Sequence, residues 1–372
     1  MVFTISILTA ILFVLIFEKP LKKNPVPFYL IFSGLSLAVI VIDRLGISFG
    51  GFFGTYIYPL FDRAALGAGF FVLVMYAVTF PNGSKPIKLL MSLRGELSII
   101  ASILTLGHIV AYGIKYLSKL LEAPSKMQPV ALVATVFSVI MVLVLLPLFV
   151  TSFKRIRRKF NPLKWKKLQR FAYGFYFLVY LHVFLFNITG ALRGSERSVV
   201  NVSVYTAVFL WYLICRLLKA HSIKKKDFKL NVARYVSLVP VLVLSASVYF
   251  LLRNAGAPKE TEISDAQLSE GPAESLSASE PTVIDGTYSA TALGYEGDIT
   301  VEIVVQNGEV IDVYFTSYDD DEEYKTFSDG LLEAIKANPL GEIDTVSGAT
   351  FSTRGVLKAY GEALAKAGIE KH

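Results

Sequence analysis

Two histidines stand where a histidine is costly. His108 and His182 each lie inside a long apolar run, whereas His221 sits in a basic loop and His372 is the last residue. An ionisable side chain at membrane depth is expensive and marks a functional site by default. Both host runs begin at a basic stretch, so their depths can be compared. Fourteen residues separate Arg94 from His108 and twelve separate Arg170 from His182, a rise of about 21 Å and about 18 Å along a helix. Two neutral imidazoles at matched depth on neighbouring helices suit the axial positions of a b-type haem. The plain alternative is that each donates to a backbone carbonyl within the bundle.

A second stretch with chemistry in it is Asp344-Thr345-Val346-Ser347-Gly348-Ala349-Thr350-Phe351-Ser352. It precedes an amphipathic run, 356–364, for which Ser352 or Thr353 is the expected N-cap. A helix N-terminus offers unpaired N–H groups and partial positive charge, which suits a phosphate. Gly348 and Ala349 are small enough to let a phosphoester approach the backbone, and Thr350 places a hydroxyl at the centre. The same residues serve equally well as a plain helix cap.

The elements that must position these residues are mostly membrane helices. The chain has 372 residues, 53% hydrophobic, with a mean hydropathy of +0.53. That is too apolar for an ordinary soluble protein. Eight apolar runs approach the ~20 residues a bilayer crossing needs: 2–18, 28–45, 63–80, 95–118, 128–152, 168–190, 201–218 and 233–252. The first lacks a basic start and a small-residue cleavage site, so it is expected to be a helix and not a leader. Residues 46–61, rich in glycine and aromatics, are expected to form an interfacial loop on the outer face, where a quinone site is conceivable.

Charge sets the expected orientation. Residues 1–258 hold 30 Lys+Arg against 7 Asp+Glu, and residues 259–372 hold 7 against 23. Within the first part, the segments 19–27, 81–94, 153–170 and 216–234 carry 22 of the 30 basic residues, in strict alternation with poor segments. The positive-inside rule then places both termini outside the cytoplasm. The basic segments face anionic lipid, which excludes reading them as a nucleic-acid footprint. The lone cysteine, Cys215, allows no disulfide or Cys-ligated cluster within one chain.

Residues 254–281 are Ala, Glu, Ser and Pro without periodicity, a flexible acidic linker. It would let the following domain swing between a membrane-side donor and a distant acceptor, or serve as a plain spacer. Beyond it, 300–305 and 310–315 alternate as strands around Asn307-Gly308, a strong hairpin signal. Helices are expected at about 327–337 and 353–367, giving a small α+β domain.

Two resemblances extend these readings. Asp285-Gly286-Thr287-Tyr288, the strands after it and the closing Asp-x-x-Ser-Gly-Ala-Thr-x-Ser resemble the FMN-binding domain of the Rnf and Nqr electron-transport subunits, over about 282–369. The resemblance implies covalent FMN, attached by a flavin transferase as a phosphoester on Thr350. Asp344, Ser347, Gly348, Ala349 and Ser352 then belong to the recognition motif. Where many relatives carry a His/Glu-Thr-Pro-Gly loop, this chain has Tyr318-Asp319-Asp320-Asp321-Glu322-Glu323. Residues 60–215 resemble a ferric-reductase-like transmembrane domain, especially the haem-bearing membrane subunit of the bacterial methionine-sulfoxide reductase system. Leu93-Arg94-Gly95 leading to Leu106-Gly107-His108, and 165–170 leading to Tyr180-Leu181-His182, carry that resemblance. The family often stacks a second histidine pair about 13 residues towards the cytoplasm. Here those positions are Arg94 or Gly95 and Gln169, so one haem b, the outer one, is implied, with His108 and His182 as its axial ligands. No FAD/NADPH-binding domain is appended, so a different donor is expected.

The expected architecture is a membrane all-α bundle of about eight transmembrane helices (1–253), the linker (254–281) and a small extracytosolic α+β FMN-binding domain (282–372). The expected activity is electron transfer in the cytoplasmic membrane. Electrons would pass from a reductant, a quinol being one candidate, through haem b to FMN and an external acceptor. The rival is a flavin-carrying redox sensor or assembly scaffold with a haem-free anchor.

Overall fold

The computed structural model describes residues 1–45, 47, 49, 51–193, 195–225, 229–255, 285–294, 298–320, 325–341, 343 and 350–369, with the backbone alone at 126, 350 and 351. The chain divides into two compact units, Met1–Pro258 and Lys259–His372.

The first unit is helical throughout. Its α-helices are α1 (Val2–Lys23), α2 (Val26–Arg44), α3 (Pro59–Asp62), α4 (Ala65–Tyr76), α5 (Lys85–His108), α6 (Ile114–Glu122), α7 (Pro129–Ser152), α8 (Lys154–Arg157), α9 (Pro162–Gln169), α10 (Phe171–Leu192), α11 (Glu196–Lys224) and α12 (Leu230–Ala255). A π-helical turn, Phe53–Ile57, precedes α3, a 3-10 turn, Ala77–Thr79, ends α4, and a second π segment, Ile109–Gly113, joins α5 to α6.

Among the described residues, seven helices are long and apolar enough to cross a membrane, or eight if one bent pair is a single span. That pair is Phe53–Asp62 with Ala65–Thr79, bent by 58°. The third expected span, 63–80, is therefore the second arm of a broken element. The region expected as an interfacial loop is helical over Phe53–Ile57 and Pro59–Asp62. The fourth expected span is also longer than its apolar stretch, since Lys85–Glu122 runs as one rod of 38 residues.

Helices of this composition cannot be stable with both faces in water. On α1, Phe3, Ala10 and Val14 are buried while Leu8, Leu12 and Leu15 stay exposed. Such an apolar outer surface belongs against hydrocarbon, where every backbone polar group must be satisfied within the helix. The core between α1, α2, α4 and α5 is built on Phe70, Leu93, Leu97, Ile100 and Leu104. Small residues set the helix spacing. A Cβ on Gly107 would fall 2.7 Å from Cβ of Ser36, so α2 approaches α5 closely one residue before His108.

The second unit is a three-stranded antiparallel sheet, ordered β1 (Gly286–Leu293), β2 (Asp298–Gln306), β3 (Glu309–Tyr318), with α13 (Lys325–Ala337) and α14 (Thr350–Lys366). The β2–β3 turn has Asn307 at φ 53° and Gly308 at φ 78°, the left-handed pair a two-residue hairpin requires. Alternation puts Ala290, Ala292, Ile299, Val301, Ile303 and Val313 on one face, packed with Leu331 and Ile335 of α13 and Val356, Tyr360 and Leu364 of α14. Each fully buried aliphatic side chain there contributes about 1.5–3 kcal/mol.

Candidate functional site

His108 is the last residue of α5, and the backbone passes into the π segment immediately after it. Single π turns inside long helices re-aim side chains and occur often at functional sites. Its partner comes from the break between α3 and α4. Ala64 sits there in the left-handed region, φ 49°, which interrupts the helical hydrogen-bond ladder. The carbonyl oxygen of Asp62 lies 3.0 Å from Nδ1 of His108. A carbonyl can only accept, so Nδ1 carries the proton and Nε2 the lone pair.

Asp62 is tied a second time. Tyr112, one turn beyond His108, donates its hydroxyl to Asp62 Oδ1 at 2.6 Å. The carboxylate is buried, with the whole residue 4% exposed. A buried acid needs such donors.

His182 lies on α10 and meets α7. The hydroxyl of Ser138 donates to the carbonyl of Ala134 at 2.8 Å and lies 2.7 Å from Nδ1 of His182. A serine has one hydrogen to donate, so the second contact must run from Nδ1–H to Oγ. His182 therefore has the same tautomer as His108, with Nε2 unprotonated.

The two imidazole centroids are 6.5 Å apart with the ring planes at 88°. This separation suits one metal between them. Two metal–imidazole bonds of about 2 Å, with the ring radii added, separate the centroids by roughly 6 to 6.5 Å. Two imidazoles, each with a second partner at Nδ1, are residues that could hold a metal or haem between them. Tyr112 packs 5.2 Å from the His108 ring and Phe186 4.9 Å from the His182 ring. Among the described residues, no group of three His, Cys, Asp or Glu gathers as a metal cluster.

The inner positions are committed to other bonds. Gln169 donates to Thr151 Oγ1 and Trp165 to the Thr151 carbonyl, both at 3.1 Å. Buried Glu96 pairs with Lys154 at 2.6 Å. A Cβ on Gly95 would meet the Ser152 carbonyl at 3.5 Å. This network ties α5, α7, α8 and α9 together.

Sequence reasoning missed Asp62, Tyr112 and Ser138. Asp62 carried a usable signal, because an acid in an apolar run is as costly as a histidine. Tyr112 and Ser138 carried none, since both are common in membrane helices.

In the second unit, Thr350 is the first residue of α14. The helix thus begins two residues ahead of Ser352, and Ser352 and Thr353 are not its caps. Both are buried, at 1% and 0% exposure, so they pack inwards as part of the first turn. Ser352 Oγ has no hydrogen-bond partner among the described residues. A Cβ on Gly355 would meet Cα of Gly294 at 2.9 Å, so the second turn of α14 seats directly against the residue that follows β1. Asp344, Ser347, Gly348 and Ala349 lie outside the described residues, as does the side chain of Thr350. Of the acidic stretch 318–323, Tyr318, Asp319 and Asp320 are described, and Asp320 is buried.

Comparison with known proteins agrees with this division. A family model of the ferric reductase like transmembrane component matches residues 64–181, and one of the FMN-binding domain matches residues 294–365. An uncharacterized protein of Treponema pallidum (strain Nichols) is 32% identical over 362 residues, covering 96% of this chain and 97% of that one. No solved structure matches.

Proposed function

Because this chain belongs to the same family as that Treponema pallidum protein, and joins a ferric reductase-like transmembrane component to an FMN-binding domain, we propose that it carries electrons outward through a cytoplasmic membrane. A role in membrane electron transfer follows from the two matched domains. The finer reading is that a b-type haem is held by His108 and His182 and that FMN is esterified to Thr350 by a flavin transferase. The donor is a membrane or cytoplasmic reductant, a quinol being the first candidate, and the acceptor lies outside the cytoplasm.

When bound, the haem supplies one-electron chemistry and the flavin can exchange one or two electrons. The chain's own residues position them. Asp62 and Ser138 hold the two imidazoles through Nδ1, which orients the rings and favours the tautomer whose Nε2 could bind iron. His108 and His182 would together hold the haem, and a haem held by two imidazoles would supply electron transfer in place of oxygen chemistry. The first turn of α14 offers backbone N–H groups beside Thr350, and buried Ser352 adds a hydroxyl with no partner among the described residues. The direction rests on the basic segments, which the positive-inside rule puts in the cytoplasm.

The observation that carries this reading is the centroid separation of 6.5 Å between two histidines of fixed tautomer. An absorption spectrum of the detergent-extracted protein, before and after dithionite, tests it. A Soret band that shifts on reduction, together with a flavin band that bleaches, is the expected result. Folded protein made with ample haem but showing no Soret band would overturn the haem reading and leave a flavin sensor or scaffold.

A further inference from the structure

We propose that a groove between α1, α4, α5 and α11 is a binding site for one anionic phospholipid. The groove has a volume of about 770 Å³, within the range of small-molecule pockets. Its body is apolar, lined by Ile7, Ile11 and Leu15 of α1, Val72 of α4, Leu89 of α5 and Val208 of α11. Its charged groups gather at one end: Lys22 and Glu18 at the end of α1, and Lys85 and Lys88 at the start of α5.

Length and charge both select the occupant. Ile7 and Lys22 are 15 residues apart on one helix, about 22 Å of rise. That is roughly one leaflet of a bilayer with its headgroup zone. Three lysines face one glutamate at the rim, and Glu18 is already paired with Lys22 at 2.5 Å. The rim is therefore cationic. A headgroup phosphate at the rim with acyl chain along the apolar body satisfies both ends. A neutral quinone headgroup would leave the cationic rim unmatched.

The site lies at the end of the bundle that carries the basic segments 19–27 and 81–94. Cytoplasmic leaflets are rich in anionic lipid, and each lysine near such a surface adds to the attraction. Lipid here would fill the seam between α1 and α5 and fix the packing of α4 behind it.

The test uses the full chain, in nanodiscs of equimolar phosphatidylglycerol and phosphatidylcholine. After extraction in mild detergent and washing, retained lipid per chain is counted by mass spectrometry of the intact protein. Wild type should keep phosphatidylglycerol over phosphatidylcholine by at least about tenfold, and a combined Lys22→Gln, Lys85→Gln, Lys88→Gln variant should lose that preference. Glu18→Gln, which makes the rim more positive, should strengthen it. Leu15→Trp, on an exposed position of the groove wall, should expel lipid of either headgroup without touching the charges. Size-exclusion elution checks that each variant is folded. Equal retention of the two lipids by wild type would overturn the proposal. So would an unchanged preference in the lysine variant, displacement by inorganic phosphate alone, or an isoprenoid quinone recovered in place of phospholipid.

Discussion

The backbone carbonyl of Asp62 accepts Nδ1–H of His108 at 3.0 Å, across 46 residues of sequence. The same residue's carboxylate takes the hydroxyl of Tyr112 at 2.6 Å. One residue thus fixes the ring and the helical turn that follows it. The arrangement depends on the break at Ala64, whose φ of 49° costs an alanine roughly 1–2 kcal/mol. Local strain of this kind persists where the surrounding structure fixes it, often at functional sites.

Two substitutions separate the break from the bond. Ala64→Gly removes the strain and keeps the geometry, so the melting temperature of the extracted protein should hold or rise. Tyr112→Phe leaves the buried Asp62 carboxylate one donor short, a loss of about 1.5–3 kcal/mol for a bond to a charged group, and should lower the melting temperature by several degrees. If Ala64→Gly melts clearly lower, the Ala64 methyl contributes more by packing than its conformation costs.

Ser138 has a separate consequence. Ser138→Ala removes the acceptor for Nδ1–H of His182, freeing the ring to rotate or change tautomer. Loss of such a second partner usually weakens metal binding about 10–100-fold. Haem titrated into haem-depleted protein should show that loss in Ser138→Ala and far less of it in Ser138→Thr, which keeps the hydroxyl.

Much of this was legible because the signals were local. Hydropathy marked the helices, and Asn307-Gly308 marked the hairpin through its left-handed pair. His108 and His182 could be matched from their helix positions alone, because rise per residue is fixed. The broken element at Phe53–Asp62 and Ala65–Thr79 was not legible, since no glycine or proline occupies the break at Ala64. The partners of the histidines were hidden for a different reason. Asp62–His108 and Ser138–His182 join residues 46 and 44 apart, and such pairing is decided by helix packing. The start of α14 was misplaced because Ser352 and Thr353 have good cap chemistry but are buried as the third and fourth residues.

Thr350 begins α14 and carries the proposed phosphoester. Thr350→Ala should abolish covalent flavin when the protein is co-expressed with a flavin transferase, while the unit stays folded. In-gel flavin fluorescence of denatured protein reads this directly. Equal fluorescence in the variant would move the attachment elsewhere.

Tyr360 gives the second unit a pH dependence. Its hydroxyl donates to the Pro339 carbonyl at 2.8 Å, and burial pushes its pKa up to about 12. The folded unit favours the neutral phenol, so this contribution is whole below about pH 10, the ordinary tyrosine value, and is lost as pH rises towards about 12. Residues 282–372 expressed alone should lose thermal stability across that window, and Tyr360→Phe should lose less. A parallel decline in both would assign the effect to other groups.

Topology is open to a direct check. The four basic segments predict that both termini lie outside the cytoplasm. Alkaline phosphatase fused after His372 should be active, and the same reporter placed within 153–170 should be silent. The reverse pattern would put the flavin on the wrong side for outward transfer.

The two histidines proposed as haem ligands make the sharpest prediction, one haem per chain. His108 and His182 are matched in depth, tautomer and separation, whereas the inner positions are bonded through Gln169, Thr151, Glu96 and Lys154. A haem held by one imidazole in place of two would be bound far more weakly. Each single substitution, His108→Ala or His182→Ala, should therefore lose most of the haem and not half of it. Pyridine haemochrome assays per chain measure this, with His221→Ala as the control that should retain haem. A wild-type ratio near two would require an inner site that the Gln169–Thr151 network leaves no imidazole to form. Full haem in either ligand variant would remove that histidine from the iron.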